Sequence, residues 1–201
     1  MTTVAELPAG FADKVLSAQS TFRSVMDAMA RPGSVQRIQP TAGAADIMMR
    51  GTAALALTLF DHDTPIWLDP LMSATPDVAK WLKFHTSAPV VAEPSIASFA
   101  LVGDPQNLPA LDRFAFGSNE YPDRSTTLIL QVDSLTDGPV VELRGPGIDG
   151  SAALRASIRP RDLFERLAIN AALFPRGIDV VLVHDDSIVA LPRTTRLARG
   201  G

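Results

Sequence analysis

The stretch from Asn170 to Arg196 constrains the fold more than any other part of the chain. Its sequence, NAALFPRGIDVVLVHDDSIVALPRTTR, predicts the end of a helix, a corner at Pro175–Gly177 and a buried strand from Val180 to Val183. A second strand, Ile188 to Leu191, follows the polar turn Asp185–Ser187. Two β-branched apolar runs separated by a short turn are typical of a hairpin. The sequence therefore predicts a helix that leads through a tight corner into a buried hairpin.

Further helices are predicted from hydrophobic periodicity and from helix-starting residues. The segments are Phe11 to Ala30, Ala44 to Phe60, Thr75 to His85 and Pro160 to Phe174. Apolar residues recur at three- and four-residue steps in the first segment, which predicts an amphipathic helix. The residues of that apolar face are Phe11, Val15, Ala18, Phe22, Val25, Met26 and Met29. Gly51 lies in the middle of the second segment and predicts a possible kink there.

The last predicted helix has an apolar side and a charged side. The apolar side consists of Leu163, Phe164, Leu167, Ala171 and Phe174. On the charged side, Asp162 and Arg166 stand four residues apart, which is a favourable spacing for an ion pair on a helix.

Short apolar runs between these helices predict the remaining strands. They are Ser34 to Ile38, Ile66 to Leu68 and Ala97 to Val102, and a hairpin of Thr126 to Val132 with Pro139 to Leu143. Strands that both alternate with helices and form hairpins indicate an α/β fold with a mixed sheet covered by helices. At 201 residues, without an internal repeat or a convincing linker, the chain is interpreted as a single domain spanning residues 1–201.

Composition excludes several classes of function. The 18 Lys and Arg residues against 22 Asp and Glu give a formal charge of −4, which argues against non-specific binding to nucleic acid. The chain has no cysteine, so disulfides, thiolate metal sites and a cysteine nucleophile are excluded. The first residues lack the basic start and apolar run of a secretory signal, and the longest apolar window, Thr52 to Phe60, is too short to span a bilayer. We expect a cytoplasmic protein that does not bind membranes.

No motif predicts a catalytic site. The chain lacks a Gly-x-Gly-x-x-Gly loop, a Walker loop and a Gly-x-Ser-x-Gly elbow. His62, His85 and His184 are far apart; Asp61-His62-Asp63 could bind a metal, but such a run is more typical of a solvated turn. His184 follows a buried strand, where either a general base or an ordinary turn histidine would fit. We expect no metal and no catalytic residue.

A covalent pyridoxal phosphate cofactor is not expected either. Lys14, Lys80 and Lys83 are the chain's lysines, and all three lie on polar sides of predicted helices, where nothing would desolvate an amine for Schiff-base formation. The remaining basic residues are arginines, which suit carboxylate or phosphate recognition but also follow from a high-GC codon bias.

Three glycine-containing corners, each with an arginine, are the candidate binding features. They are Arg31-Pro32-Gly33, Arg144-Gly145-Pro146-Gly147 and Pro175-Arg176-Gly177. Such corners can direct backbone N–H groups and a guanidinium at an anion, but they also turn strands with the arginine in solvent. Arg193, two residues after the last strand, is a further candidate. The residues leave open whether these positions bind an anion or shape an interface.

An ordered set of phrases along nearly the whole chain resembles a known family. The phrases are GFADKVLSAQSTFRSVMDAMARPG (10–33), ALALTLFDHDTPIWL (54–68), KFHTSAP (83–89), FALVGD (99–104), TLILQV (127–132), LRGPGI (143–148), NAALFPRGIDVVLV (170–183) and LPRTTR (191–196). Together they resemble the PhnH subunits of the bacterial carbon–phosphorus lyase system for phosphonate catabolism. Each phrase alone is weak, whereas the ordered set is specific.

The resemblance implies a fold like that of pyridoxal-phosphate-dependent transferases but without the cofactor. It also implies a homodimer that joins a core complex with the PhnG, PhnI and PhnJ subunits. In that system PhnG, PhnH, PhnI and PhnL together replace the adenine of ATP with a phosphonate, giving a ribose 1-phosphonate 5-triphosphate. The chemistry is usually placed on PhnI, and no catalytic residue of the family can be carried over to this chain. The resemblance therefore implies an accessory subunit, with a nucleotide- or phosphonate-binding cleft at the homodimer interface as the alternative.

Overall fold

The computed structural model describes residues 10–41, 46–160 and 162–199. The helices are α1 (Lys14–Ala30), α2 (Arg50–Leu59), α3 (Pro70–Ser73), α4 (Pro76–Thr86) and α5 (Leu163–Ala171), with 3₁₀ turns at Pro94–Ile96, Pro105–Asn107 and Leu111–Arg113. The strands are β1 (Gln36–Arg37), β2 (Ile66–Leu68), β3 (Phe99–Val102), β4 (Thr127–Gln131), β5 (Val140–Arg144), β6 (Ala152–Arg155), β7 (Asp179–His184), β8 (Ser187–Leu191) and β9 (Arg196–Arg199). Over the described ranges, every helix is too short or too polar to cross a membrane.

A six-stranded mixed sheet forms the centre of the fold, in the order β1-β8-β7-β4-β3-β2. Strands β2, β3, β4 and β7 are parallel, whereas β8 is antiparallel to β7 and β1 is antiparallel to β8. The mixed sheet predicted from the sequence is therefore confirmed. Apart from the edge strand β1, its strands are buried on both faces, which explains their nearly continuous runs of Val, Ile and Leu.

Residues alternate between two cores along each central strand, because successive side chains point to opposite faces. In β7, Val181 and Val183 pack towards the helices α1, α2 and α4, while Val180 and Leu182 belong to the core on the other face. The second core is closed by α5 and by a small antiparallel sheet of order β6-β5-β9. The helical cover that the sequence predicts is thus present on one face and shared with a second sheet on the other.

The final hairpin predicted from the sequence is confirmed. Strands β7 and β8 pair from Val180 opposite Leu191 to His184 opposite Ser187, around a turn in which Asp185 has a φ of 50°. The predicted pair between Asp162 and Arg166 is also present, at 2.9 Å.

The hairpin predicted between residues 126–132 and 139–143 is wrong. Strand β4 lies in the large sheet between β3 and β7, whereas β5 pairs with β6 and β9 in the small one. The two apolar runs are consecutive in sequence, but β4 pairs with β3 and β7, while β5 pairs with the next strand, β6, and with the distant β9. The loop 132–139 therefore connects two sheets.

The helix predicted over 44–60 begins later, at Arg50. Residues 44 and 45 lie outside the described residues, and residues 46–48 form a turn and a bend. Gly51 consequently sits in the first turn of α2 and marks a close contact: a Cβ there would lie 2.5 Å from the backbone oxygen of Asp185. The glycine permits helix α2 to touch the β7–β8 turn.

The predicted apolar faces of two helices are partly wrong. In α1 the buried residues are Thr21, Val25 and Ala28, while Val15, Phe22 and Met26 are exposed. In α5 the buried residues include Leu163 and Leu167, as predicted, but Phe174 lies beyond the helix end and is exposed. In α1, Met29 and Ala18 pack against the core as predicted.

Candidate functional site

The carboxyl ends of two neighbouring parallel strands, β2 and β3, are held together by one buried carboxylate. Asp69 follows β2 and is fully buried. Its Oδ2 accepts hydrogen bonds from the backbone N–H groups of Gly103 (2.8 Å) and Asp104 (2.7 Å), which follow β3. Its Oδ1 accepts from the N–H of Met72 and thereby caps α3. Asp69 therefore fixes the relative positions of the β2 and β3 ends.

Gln131, at the end of β4, binds the start of α2 in a similar way. Its Oε1 accepts from the N–H of Met49 (2.7 Å) and from the hydroxyl of Thr52 (2.9 Å), and its Nε2 donates to the oxygen of Ile47 (2.8 Å). Met49 precedes the helix and has no capping side chain of its own. The buried Gln131 side chain thus supplies the cap from another element.

A cleft of about 120 Å³ opens at this edge. It is lined by residues 103–106 after β3, by residues 131–133 at the end of β4, and by Met49, Ser157 and Arg159. Arg159 forms an exposed ion pair with Asp133, Nη2 to Oδ2 3.1 Å. At roughly 30 Å³ per water molecule the cleft holds about four waters. Its lining includes the carboxylates of Asp104 and Asp133, whose negative charges disfavour a polyphosphate.

Two of the three glycine corners predicted from the sequence lie against each other. A Cβ on Gly147 would overlap the backbone oxygen of Ala30, and one on Gly33 would overlap the Leu143 side chain. Both glycines have positive φ, 81° and 84°. Gly145, with a φ of 142°, is similarly close to the Thr194 oxygen, at 2.9 Å from a built Cβ. These glycines permit close backbone packing between the end of α1 and the small sheet.

The arginines of these two corners point into solvent and are paired within the chain. Arg31 binds Asp27 at 3.0 Å, with 60% of the Arg31 side chain exposed. Arg144 is 64% exposed and binds Glu142, whose Oε1 accepts from its Nε at 2.7 Å. Both guanidinium groups remain accessible, so the packing of the glycines does not occupy them.

Arg193, the candidate that follows the last strand of the hairpin, is held by hydrogen bonds to several parts of the chain. Its side chain is 13% exposed and all five of its N–H donors have acceptors. Nε and Nη2 donate to the Asp179 carboxylate, with N···O distances of 3.1 and 2.5 Å. Nη2 also donates to the Ser125 hydroxyl oxygen, at 2.5 Å. Nη1 binds the oxygens of Pro122 (2.6 Å) and Pro175 (3.5 Å). The guanidinium therefore fixes two loops and the β7 start, and an anion could reach it only by displacing these partners.

The corner Pro175–Gly177 is held by the buried Asn170. The amide of Asn170 pairs with both backbone groups of Ile178, each at 2.9 Å, and a Cβ on Gly177 would lie 2.9 Å from its Oδ1. Gly177 also donates its N–H to the oxygen of Phe116. Arg176, between them, is exposed, and its guanidinium has no bonding partner in the described part of the chain.

The histidine and lysine side chains do not line the cleft. Asp61, in the turn after α2, accepts from the hydroxyl of Thr64 and from the N–H of Asp63, and these bonds lower the pKa of its carboxyl. His184 Nδ1 lies 3.0 Å from the oxygen of Val132. Within residues 10–41, 46–160 and 162–199, no three His, Asp or Glu side chains are grouped for a metal. Lys14 starts α1, and Lys80 and Lys83 lie on α4, away from the cleft.

Comparison with known proteins identifies the family. The family model of the bacterial phosphonate metabolism protein PhnH matches residues 9–198. The chain belongs to the PhnH family. The alpha-D-ribose 1-methylphosphonate 5-triphosphate synthase subunit PhnH of Rhizobium meliloti (strain 1021) is 42% identical over 200 residues, which is 99% of this chain and 100% of the relative. A second relative, the putative C-P lyase subunit protein HtxG of Stutzerimonas stutzeri, is 32% identical over 98% of this chain and 95% of its own length.

The residues that organise the carboxyl edge in this PhnH-family chain were missed by the sequence analysis. Asp69, Gln131, Asp133 and Arg159 carry no motif, and Arg159 lies in a segment without clear periodicity. Three of the four are the last residue of a strand or one to two residues beyond it, which is where parallel strands present side chains to a common edge. Strand ends are therefore the signal that could have found them.

Proposed function

We propose that this chain is an accessory, non-catalytic subunit of a ribose 1-methylphosphonate 5-triphosphate synthase within the carbon–phosphorus lyase system. The observation that carries the proposal is the 42% identity with the Rhizobium meliloti PhnH subunit over the whole of both chains. The 32% identity with a putative C-P lyase subunit supports the same assignment. By the family resemblance, the partners are PhnG, PhnI, PhnJ and PhnL, and the setting is the catabolism of organic phosphonates in the cytoplasm.

The geometry of the chain agrees with an accessory role. The most strongly positioned polar side chains, Asp69, Gln131 and Arg193, all bind backbone or side chains of the chain itself. The cleft at the carboxyl edge is small, and its lining includes the two carboxylates of Asp104 and Asp133. Polar side chains that hold the chain's own loops in place are what we expect of a subunit that presents those loops to other subunits.

The test is reconstitution of the synthase with and without this chain. Purified PhnG, PhnI and PhnL would be incubated with ATP and methylphosphonate, and adenine release and the new phosphonate ester would be followed by chromatography and ³¹P NMR. We expect product only when this chain is added. Product formation at an unchanged rate in its absence would contradict the proposal.

The alternative is a nucleotide- or phosphonate-binding subunit whose cleft forms at a homodimer interface. The exposed Arg176, whose guanidinium has no bonding partner in the described ranges, favours it. Because the cleft within one chain is small, such a site would need a second copy. Calorimetric titration of the isolated chain with ATP and with methylphosphonate tests this alternative. Saturable binding that is lost in Arg176→Ala, together with a dimer in light scattering, would favour it over a pure assembly role.

A further inference from the structure

The outward face of the small sheet carries a group of arginines in a chain that is acidic overall. Arg144 on β5 is the register partner of Arg196 on β9, and Arg155 on β6 is the register partner of Val140 on β5. All three arginines are exposed. Residues directly opposite each other in an antiparallel pair point to the same face, so the three share one surface with Glu142. We call this surface the arginine face.

The charge on the arginine face is only partly neutralised. Glu142, two residues before Arg144 on the same strand, binds that arginine at 2.6 Å. Arg155 and Arg196 form no ion pair with the described part of the chain. The face therefore has three positive charges and one negative charge, whereas the whole chain has a formal charge of −4. Two like charges directly opposite each other also repel, and an anionic partner would relieve that repulsion.

The spacing of these arginines favours an extended partner over a small anion. Val140, opposite Arg155, stands four residues before Arg144 on β5, which corresponds to roughly 13 Å along a strand. One phosphate group cannot contact guanidinium groups at both ends of such a span. Between the two ends stand Glu142, which is bound to Arg144, and the small side chain of Ala153 opposite it. A folded protein surface can approach such a sheet closely, and aspartate or glutamate residues on it would pair with the arginines.

Nucleic acid is a less suitable partner for the same face. Binding to a phosphate backbone depends on a broad excess of positive charge, and the net charge of this chain is negative. We infer that the arginine face docks an acidic protein surface, presented by another subunit of the assembly. This inference rests on the proposed function, because that function supplies the partner subunits.

The test is co-expression of the tagged full-length chain with PhnG, PhnI and PhnJ, followed by affinity capture from lysate with and without nuclease treatment, at low and at raised salt. The variant is the double substitution Arg144→Glu and Arg196→Glu. The matched control is Arg23→Glu with Arg113→Glu, which changes the net charge equally at two exposed arginines on α1 and on the 3₁₀ turn Leu111–Arg113. Thermal melting of each purified variant checks that it is folded.

We expect the parent chain and the control to retain the partner subunits. The Arg144→Glu/Arg196→Glu variant should capture at least tenfold less of the partner subunits than the parent chain does. Retention by the parent chain should also fall as salt rises. Equal capture by the folded variant would overturn the arginine face as the interface while leaving the proposed function intact. Capture that disappears on nuclease treatment would replace the protein partner by nucleic acid. Failure of the parent chain itself to capture any subunit would contradict both the inference and the proposed function.

Discussion

Arg193 and Asp179 form an ion pair in which both side chains are largely buried. The distance from Nη2 to Oδ2 is 2.5 Å, and 13% of the Arg193 side chain and 14% of the Asp179 side chain are exposed. Asp179 begins β7, and its Oδ1 also accepts the backbone N–H of Arg193 at 2.8 Å. The pair joins the start of the central hairpin to the segment that leaves it, and through Pro122 and Ser125 it fixes a loop that is remote in sequence.

Replacing Arg193 with alanine is expected to lower the free energy of unfolding by about 3–5 kcal/mol. The reason is that Asp179 would remain as a buried charge without its partner. Arg193→Lys is expected to lose much of the same stability, because an ammonium group cannot reproduce the planar set of five donors. Urea denaturation followed by circular dichroism measures both changes.

The control for this pair is Arg144→Ala. Arg144 also pairs with a carboxylate, but its side chain is 64% exposed, so we expect a loss of at most about 1 kcal/mol. The double variant Arg193→Ala with Asp179→Ala should be less destabilised than the sum of the two single variants. A loss below 1 kcal/mol in Arg193→Ala would show that the pair contributes little.

The sequence predicts the hairpin next to this pair, but not the distant contacts of Arg193. The β7–β8 hairpin was predictable because its signal is local: two apolar runs and a polar turn. The acceptors of Arg193 at Pro122 and Ser125 are 71 and 68 residues away, and no spacing rule connects such positions. The sequence therefore predicts Arg193 and Arg144 equally as candidate anion ligands, although the Arg193 side chain is largely buried and the Arg144 side chain is exposed.

The pairing of β4 failed for a related reason. A run such as Thr127–Gln131 indicates a strand, but not its neighbours, because sheet partners are chosen by the packing of the whole chain. Proximity in sequence favours the next apolar run as the partner, whereas the structure places β4 between two parallel strands. The strand-end residues Asp69 and Gln131 could not be assigned to one edge without that topology. The glycine corners were found from sequence, but their mutual contact was not.

Gly147→Ala is expected to be more destabilising than Gly150→Ala. Both glycines have positive φ, 81° and 67°, so each substitution has a backbone cost of about 1–2 kcal/mol. Only at Gly147 would the new Cβ also meet backbone, the oxygen of Ala30, whereas nothing lies within 4 Å at Gly150. The difference between the two melting temperatures therefore reports the contact between the α1 end and the small sheet. Equal losses would indicate that the α1 end moves away at no cost.

Thr64→Val is expected to raise the pKa of Asp61 towards its ordinary value, because the Thr64 hydroxyl is the largest cause of the lowered pKa. A folded-state pKa below the unfolded one means that the interaction stabilises the fold above the unfolded pKa and is lost as pH falls through the folded pKa. NMR titration of the Asp61 carboxyl measures the shift. Thr58→Val is the control, since the Thr58 hydroxyl donates to the Ala54 oxygen. An unchanged Asp61 titration in Thr64→Val would exclude the hydroxyl as the cause.

Gln131→Leu is expected to loosen the start of α2 while leaving α5 intact. The substitution removes the acceptor for the Met49 N–H and the Thr52 hydroxyl, and it leaves these buried or half-buried groups unsatisfied. The expected loss of unfolding free energy is about 1–3 kcal/mol. Hydrogen exchange should accelerate at the Met49 amide and in the first turn of α2.

Gln106→Leu is the matched control, because Gln106 lines the same cleft but its side chain is exposed and has no hydrogen bond to the described residues. It should leave both the stability and the exchange of the Met49 amide nearly unchanged. If Met49 exchanges equally slowly in Gln131→Leu, the helix start is held by its contact with the β7–β8 turn at Asp185, where the Gly51 N–H donates at 2.7 Å. The two variants therefore decide which of the two contacts anchors α2 at the carboxyl edge of the sheet.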